Sequence, residues 1–226
     1  MQPIFTALSL LFGPDGELRQ IIAVTLEMSF FSTLFSSLIG IPLGVLLGGS
    51  EFRARSWLMR ITNTLMGLPP VVGGLMVYLL LSRSGPLGSL KLLYTVQAMV
   101  IAQVVLITPI ITGMTAAIVS LPAPRIRETA AGIGISPARR LLYMVYECRV
   151  QFLAVVLAGF GRSIAEVGAV QIVGGNIQHK TRVMTTAIMM QTNLGQFEYA
   201  VVLGVVLLLI SFVINTVVQR FQEWRA

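Results

Sequence analysis

Charge is scarce in this chain. Only 11% of its 226 residues are charged and 55% are hydrophobic, whereas soluble domains carry roughly 25% charged residues. The mean hydropathy is +0.84. This is the composition of an integral membrane protein, and a wholly helical one is expected. Cysteine and histidine are scarcer still, with Cys148 and His179 each standing alone. A single cysteine excludes an intramolecular disulfide and any C-x-x-C zinc pattern. A single histidine excludes H-E-x-x-H and leaves no Ser-His-Asp arrangement. Neither a Walker A loop nor a Rossmann glycine pattern is present, so no familiar route lets this chain bind and hydrolyse ATP. No cofactor or metal is expected in it. The N-terminus lacks a basic region followed by a short apolar core and a small-residue cleavage site, so no cleaved signal peptide is expected.

What charge there is leans positive, with a formal net charge of +7. The arginines stand at the ends of apolar runs instead of forming one patch. They read as topology signals, not as a nucleic-acid surface. Between them lie five stretches long enough to cross ~30 Å of hydrocarbon. Spans are expected at about 21–48, 61–82, 94–119, 150–173 and 199–219. Two hold intramembrane charge: Glu27 in the first, Arg162 and Glu166 in the fourth. The chain reads as one membrane domain, 1–226, with no linker or second domain.

Five spans put the termini on opposite sides. The connections 49–60 and 120–149 and the tail from Arg220 hold ten arginines, whereas the N-terminus, 83–93 and 174–198 hold five Lys or Arg. The positive-inside rule therefore places the N-terminus outside and the C-terminus inside. Residues 3–12, too short to span, are expected along the outer interface. Five helices rarely enclose a polar path alone, which points to a dimer in the cytoplasmic (inner) membrane.

The longest inner connection, "SLPAPRIRETAAGIGISPARRLLYMVYECR" (120–149), is also the most structured. Pro122 and Pro124 stop the third span. A stubby helix over about Arg125–Gly132 is expected to end on Gly132 and Gly134. Ser136-Pro137 then restarts a helix, with serine as N-cap and proline at the first helical position. A capped helical hairpin is more than a loop needs.

Glu128-Thr129-Ala130, three residues, then Gly134 resembles the "EAA" coupling loop of ABC importer permeases. Thr129 replaces the family's second-position alanine, and Met144, Tyr146 and Glu147 stand where the family has Ile, Leu and Pro. "LPPVVGG" (68–74) with "SGPLG" (84–88) is similar to the second span and following loop of molybdate-type and tungstate-type permeases. "AEVGAV", "IVGGNI" and "TRVMTTAI" (181–188) look most like the tungstate type. The resemblance covers about Leu26 to Phe221. It implies a type I ABC importer transmembrane domain and import of an oxyanion, with tungstate ahead of molybdate or sulfate. It also implies a second copy of the chain, two cytoplasmic ATPase subunits that bind ATP and Mg, and an extracytoplasmic oxyanion-binding protein. On this resemblance Glu128, Thr129, Ala130 and Gly134 form the ATPase-coupling element. Small Ala130 would allow close approach, Glu128 would offer a carboxylate, and Gly134 would make the turn.

Pro69 and Pro70 should kink the second span or fray its first turn, while Gly73 and Gly74 let a neighbour approach. Arg162 and Glu166, four residues apart, should share a helix face and neutralise each other inside the bundle. Two roles fit them: a buried pair that fixes helix orientation, or a gate lining the anion path. Asn176 is a candidate contact near the outer mouth, or a turn after the span. Glu27 is expected to reach the outer interface. Met184, Met189 and Met190 read as apolar packing in a short helix within 178–197. A self-contained secondary anion transporter would favour inverted repeats and more intramembrane acids, and neither is found. An intramembrane enzyme would need a nucleophile–base pair or metal ligands, which the lone Cys148 and His179 do not supply.

Overall fold

A computed structural model describes residues 16–223, and among them every regular element is helical. The expected lead-in at 3–12 lies outside the described residues. Helix α1 covers Gly16–Gly49, α2 Arg55–Met66, α3 Pro70–Leu81 and α4 Val96–Ser120. After them come α5 (Ala123–Gly132), α6 (Pro137–Glu147), α7 (Arg149–Ile164), α8 (Gly168–Gly174), α9 (Met184–Asn193) and α10 (Phe197–Glu223). Three helices, α1, α4 and α10, are long and apolar enough to cross a membrane unaided. Counting each bent pair, α2 with α3 and α6 with α7, as one span raises the number to five.

The axis of the bundle is the pair α1 and α4. Ser32, Ser36, Gly40, Gly44 and Gly48 recur every fourth residue along α1, and all are buried. Residues four apart form one ridge of a helix, and a ridge this small lets two backbones close on each other. A Cβ added at Gly44 would lie 2.5 Å from Thr115 Cβ and 2.7 Å from the Thr112 carbonyl oxygen. At Gly48 it would lie 2.5 Å from the Ala116 carbonyl oxygen. This spacing escaped the sequence reading, and its use as an α1–α4 seam depends on what α4 presents opposite.

Two of the expected spans are broken. The 61–82 stretch is not one helix, because α2 and α3 meet at 100°. Pro69 and Pro70 carry no backbone N–H to continue α2. Instead Val72 and Gly73 both donate to the Pro69 carbonyl, at 3.0 and 3.1 Å. The 150–173 stretch is interrupted at 165–167, between α7 and α8. The first span begins earlier than expected, at Gly16, and the last runs from Phe197 to Glu223. Helix α9 occupies part of the expected 178–197 segment.

The N-terminal end of α1 is stapled to the segment after α8. Glu17 Oε1 accepts from Arg182 Nη1 at 2.8 Å and from Gln178 Nε2 at 3.1 Å. Gln20 Nε2 donates to the His179 carbonyl at 2.6 Å. Thr25 Oγ1 accepts from the Met184 backbone N–H at 2.9 Å. Met184 is fully buried with Leu18, Ile21 and Leu203, as its packing role required. Met189 is exposed. Outward, α1, α3 and α10 show large apolar side chains such as Phe31, Leu79 and Phe212, the surface a helix presents to lipid.

Candidate translocation junction and coupling hairpin

The two helix breaks meet. A Cβ added at Gly74 of α3 would lie 2.6 Å from Ala169 Cα of α8. One added at Gly168 would lie 3.0 Å from Val71 Cγ2, 3.6 Å from the Val71 backbone nitrogen and 3.6 Å from Glu166 Oε1. The first turns of α3 and α8 therefore adjoin, with the Glu166 carboxylate beside both. Of the expected path residues, Pro69, Pro70, Arg162 and Glu166 gather around this junction.

Arg162 and Glu166 do pair, with Nη1 and Oε2 2.8 Å apart. They do not share a continuous helix as expected. Arg162 lies in the last turn of α7, and Glu166 in the break after it. The break frees Glu166 for a second task, and its Oε1 accepts from the Ala169 backbone N–H at 3.1 Å. That bond satisfies one of the donors a helix start leaves unpaired, and a carboxylate there also complements the helix dipole. The backbone carbonyl of Glu166 accepts from Thr185 Oγ1 at 2.8 Å. The glutamate side chain is 3% exposed and the arginine 35%. The accessible part of this neutral pair is its cation.

Ser163 anchors the same turn. Its hydroxyl lies 2.7 Å from that of Ser32 on α1, and its carbonyl accepts from Gln103 Nε2 of α4 at 3.3 Å. These tether residues escaped the sequence reading, because serines and a lone glutamine in apolar runs give no local signal of their partners. Asn176 stands at the far end of α8, in a left-handed conformation (φ 50°). Its Oδ1 accepts from Thr186 Oγ1 at 3.0 Å. It forms the turn after the span and is not part of the junction. Glu27 is exposed on α1 between two apolar grooves, one lined by Phe30 and Phe160, the other by Phe31 and Val100.

At the other end, 120–149 folds as the expected hairpin. Helix α5 closes with Gly134 N–H donating to the Ala131 carbonyl at 3.3 Å and Ile135 N–H to that of Ala130 at 2.9 Å. These two bonds define a Schellman motif. Gly134 supplies its left-handed residue, at φ 70°, so Gly132 ends the helix while Gly134 makes the turn. Ser136 occupies the N-cap of α6, but its side chain makes no capping bond. Helix α6 does not run straight into the fourth span; it bends by 70° at Cys148.

Glu128 and Thr129 are exposed, and the Thr129 hydroxyl donates to the Arg125 carbonyl at 3.0 Å. Among the described residues Glu128 forms no ion pair, its neighbour Arg127 pairing instead with Glu51. Ala130 is 3% exposed and packs into the hairpin itself. Met144 and Leu141 of α6 seat beneath Gly49 at the C-terminal end of α1, and Val119 of α4 joins the same cluster. Cys148 is buried there, and burial, reinforced by Glu147, pushes its thiol pKa up. Ile133, Leu142 and Tyr146 point out of the hairpin, each more than 60% exposed.

Residues 40–225 match the family described as binding-protein-dependent transport system inner membrane component. The chain belongs to that family. This transport-system component is also similar over its length to two proteins named tungstate uptake system permease protein TupB. The one from Peptoclostridium acidaminophilum is 38% identical, over 96% of this chain and 95% of its own. The one from Campylobacter jejuni is 37% identical, over 96% and 91%. A bacterial ABC transporter involved in alginate import shares the fold at a TM-score of 0.77 and 16% identity, over 97% of this chain and 83% of its own. The fold of this inner membrane component is that of a type I ABC importer transmembrane domain.

Proposed function

We propose that this chain is the membrane-spanning permease subunit of an ATP-driven importer for an oxyanion, tungstate ahead of molybdate or sulfate. Two copies would enclose the path, an extracytoplasmic binding protein would deliver the anion, and two cytoplasmic ATPase subunits would bind ATP and Mg. The chain itself would carry no covalent chemistry. The observation that carries this reading is the Schellman-turned hairpin, which holds Glu128 outward at one end of a type I fold. Tungstate rests on the two TupB relatives.

The packing offers a route for the motion. A hairpin displaced by the ATPases would push on α1 and α4 through Met144 and Leu141, and on the start of α7 through the bend at Cys148. Helix α7 ends at Arg162, so the push would arrive at the junction of the two breaks. There the half-exposed guanidinium, already paired with Glu166, would meet a passing dianion weakly. Weak contact suits conduction, because a tight site would not release its ion.

The test is uptake of labelled tungstate into proteoliposomes holding the chain and its ATPase, with the binding protein outside and ATP inside. Uptake should need all three components and fall more with excess tungstate than with excess molybdate or sulfate. Uptake by the chain alone on an ion gradient would overturn the proposal in favour of a secondary transporter. Orientation has its own check. In intact cells an impermeant thiol reagent should label Ser89→Cys and spare Ser56→Cys, with the buried native Cys148 silent. The reverse pattern would put the hairpin on the wrong side for a cytoplasmic ATPase.

A further inference from the structure

Helix α2 cannot cross a membrane on its own. Its 12 residues cover about 18 Å at 1.5 Å each, well short of the ~30 Å hydrocarbon core. Its direction excludes it too. Helix α3 runs beside the outer half of α4, with Gly73 against Leu106 and with Val77 and Leu81 in one cluster with Ala98 and Met99. Helix α2 leaves α3 at 100°, so it lies across the axis of α4, close to the plane of a membrane that α4 crosses. Its depth follows from its ends. Met66 abuts Gly113, seven residues before the inner end of α4, or about 10 Å along the helix. At the other end, Arg55 Nε donates to the Leu47 carbonyl, near the end of α1, at 2.7 Å. This is the depth of the interface on the side of the hairpin.

The surface of α2 suits that layer. Thr62 is its one buried residue. Trp57, 65% exposed, and Arg60 follow each other at helical spacing, and exposed Arg53 lies in the turn just before the helix. Tryptophan is favoured at the headgroup level, where its ring is apolar and its N–H wet. No Asp or Glu occurs between Glu51 and Glu128, and Glu51 is taken by Arg127. Among the described residues neither Arg53 nor Arg60 forms an ion pair.

We propose that α2 lies in the headgroup layer on the hairpin side and that Trp57 and Arg60 on it, with Arg53 in the turn before it, hold anionic phospholipid headgroups. The charge complementarity selects lipid phosphate over neutral lipid, and the exposed indole sets the depth. The proposal needs only that the chain spans a bilayer, so it stands or falls apart from the identity of the transported ion.

The test uses the full-length chain carrying Trp224→Phe, which leaves Trp57 as its one tryptophan. It is reconstituted in phosphatidylcholine vesicles holding a minor share of phosphatidylglycerol, with either lipid brominated near the headgroup. At equal amounts, brominated phosphatidylglycerol should quench Trp57 several-fold more strongly than brominated phosphatidylcholine, since each arginine near a charged surface is worth roughly fivefold in local enrichment. Arg53→Gln with Arg60→Gln should remove the excess, and the corresponding lysine pair should keep it. Equal quenching by the two lipids in the parent would overturn the proposal, as would an excess that survives the glutamine pair. Absence of quenching by either lipid would also overturn it, because a second copy or another protein would then cover this face.

Discussion

The two helix breaks reach the same result by different means. Between α2 and α3 the chain turns because Pro69 and Pro70 cannot donate to a helix. The turn is written into the backbone and needs no partner. Between α7 and α8 there is no proline. There the break is held from outside, by Glu166 bonding the Ala169 N–H, by its pairing with Arg162 and by Thr185 on its carbonyl. A break fixed by covalent structure tolerates loss of a neighbour, whereas one fixed by side chains fails when a side chain goes. If one of the two moves during transport, the second is built for it.

The contrast can be broken most forcefully at Glu166. Arg162→Leu leaves a buried carboxylate with a lone backbone donor, and Glu166→Leu removes both the partner and the cap. Leaving a buried charge without its partner costs about 3–5 kcal/mol, so Arg162→Leu should unfold correspondingly earlier in a denaturing-detergent titration, and Glu166→Leu, which leaves a cation 35% exposed, should lose less. The double leucine variant should recover most of this loss. It should stay about 1 kcal/mol below wild type, because the cap on α8 is still missing. Additive losses would show that the two residues act separately. A smaller effect is expected at Thr185, whose hydroxyl is buried against the Glu166 carbonyl. Thr185→Val should cost about 1 kcal/mol in the same titration, and no loss would mean the break is held by the Glu166 side chain alone. The smallest effect belongs to the proline break. Pro70 sits at the first position of α3, where the missing N–H has no duty. Pro70→Ala should change stability by no more than about 0.5 kcal/mol, since Pro69 remains. A loss above about 1 kcal/mol would mean that this break also hangs on one side chain.

The same contrast explains what the sequence made legible. The proline break, the α5–α6 hairpin, the turn glycine at 134 and the span-length apolar runs are all local signals, each set by residues within a few positions. The break at 165–167 was read as continuous helix because Arg162 and Glu166 at i, i+4 satisfy a helical pattern as well as the broken one. Their pairing was foreseen, and the second bond of Glu166 to Ala169 was not. The motif marks Ala130 by its place in the hairpin and carries no sign of its burial. The staples of Glu17 to Arg182 and Ser32 to Ser163 join residues more than 130 positions apart. Such pairs leave no trace in either segment alone. The α1 ridge of Ser32, Ser36, Gly40, Gly44 and Gly48 was not read either, because small residues in an apolar run do not name the helix they will meet.

The central claim is that 123–147 transmits motion from a docked ATPase, and two substitutions at the hairpin test it most directly. Glu128→Arg reverses an exposed, unpaired charge, so a favourable contact with the ATPase becomes repulsive at a cost of several kcal/mol. Gly134→Val forces a β-branched residue to φ 70°, a conformation that only glycine adopts freely. Neither position touches the junction or the α1–α4 seam, so both variants should insert and elute as the wild type does. The measurement is co-purification with the ATPase subunit together with ATP hydrolysis stimulated by the loaded binding protein in proteoliposomes. The account predicts loss of ATPase co-purification, of stimulation or of both in each variant. Wild-type values for both quantities in both variants would contradict it, and the hairpin would then be a surface loop without a part in coupling.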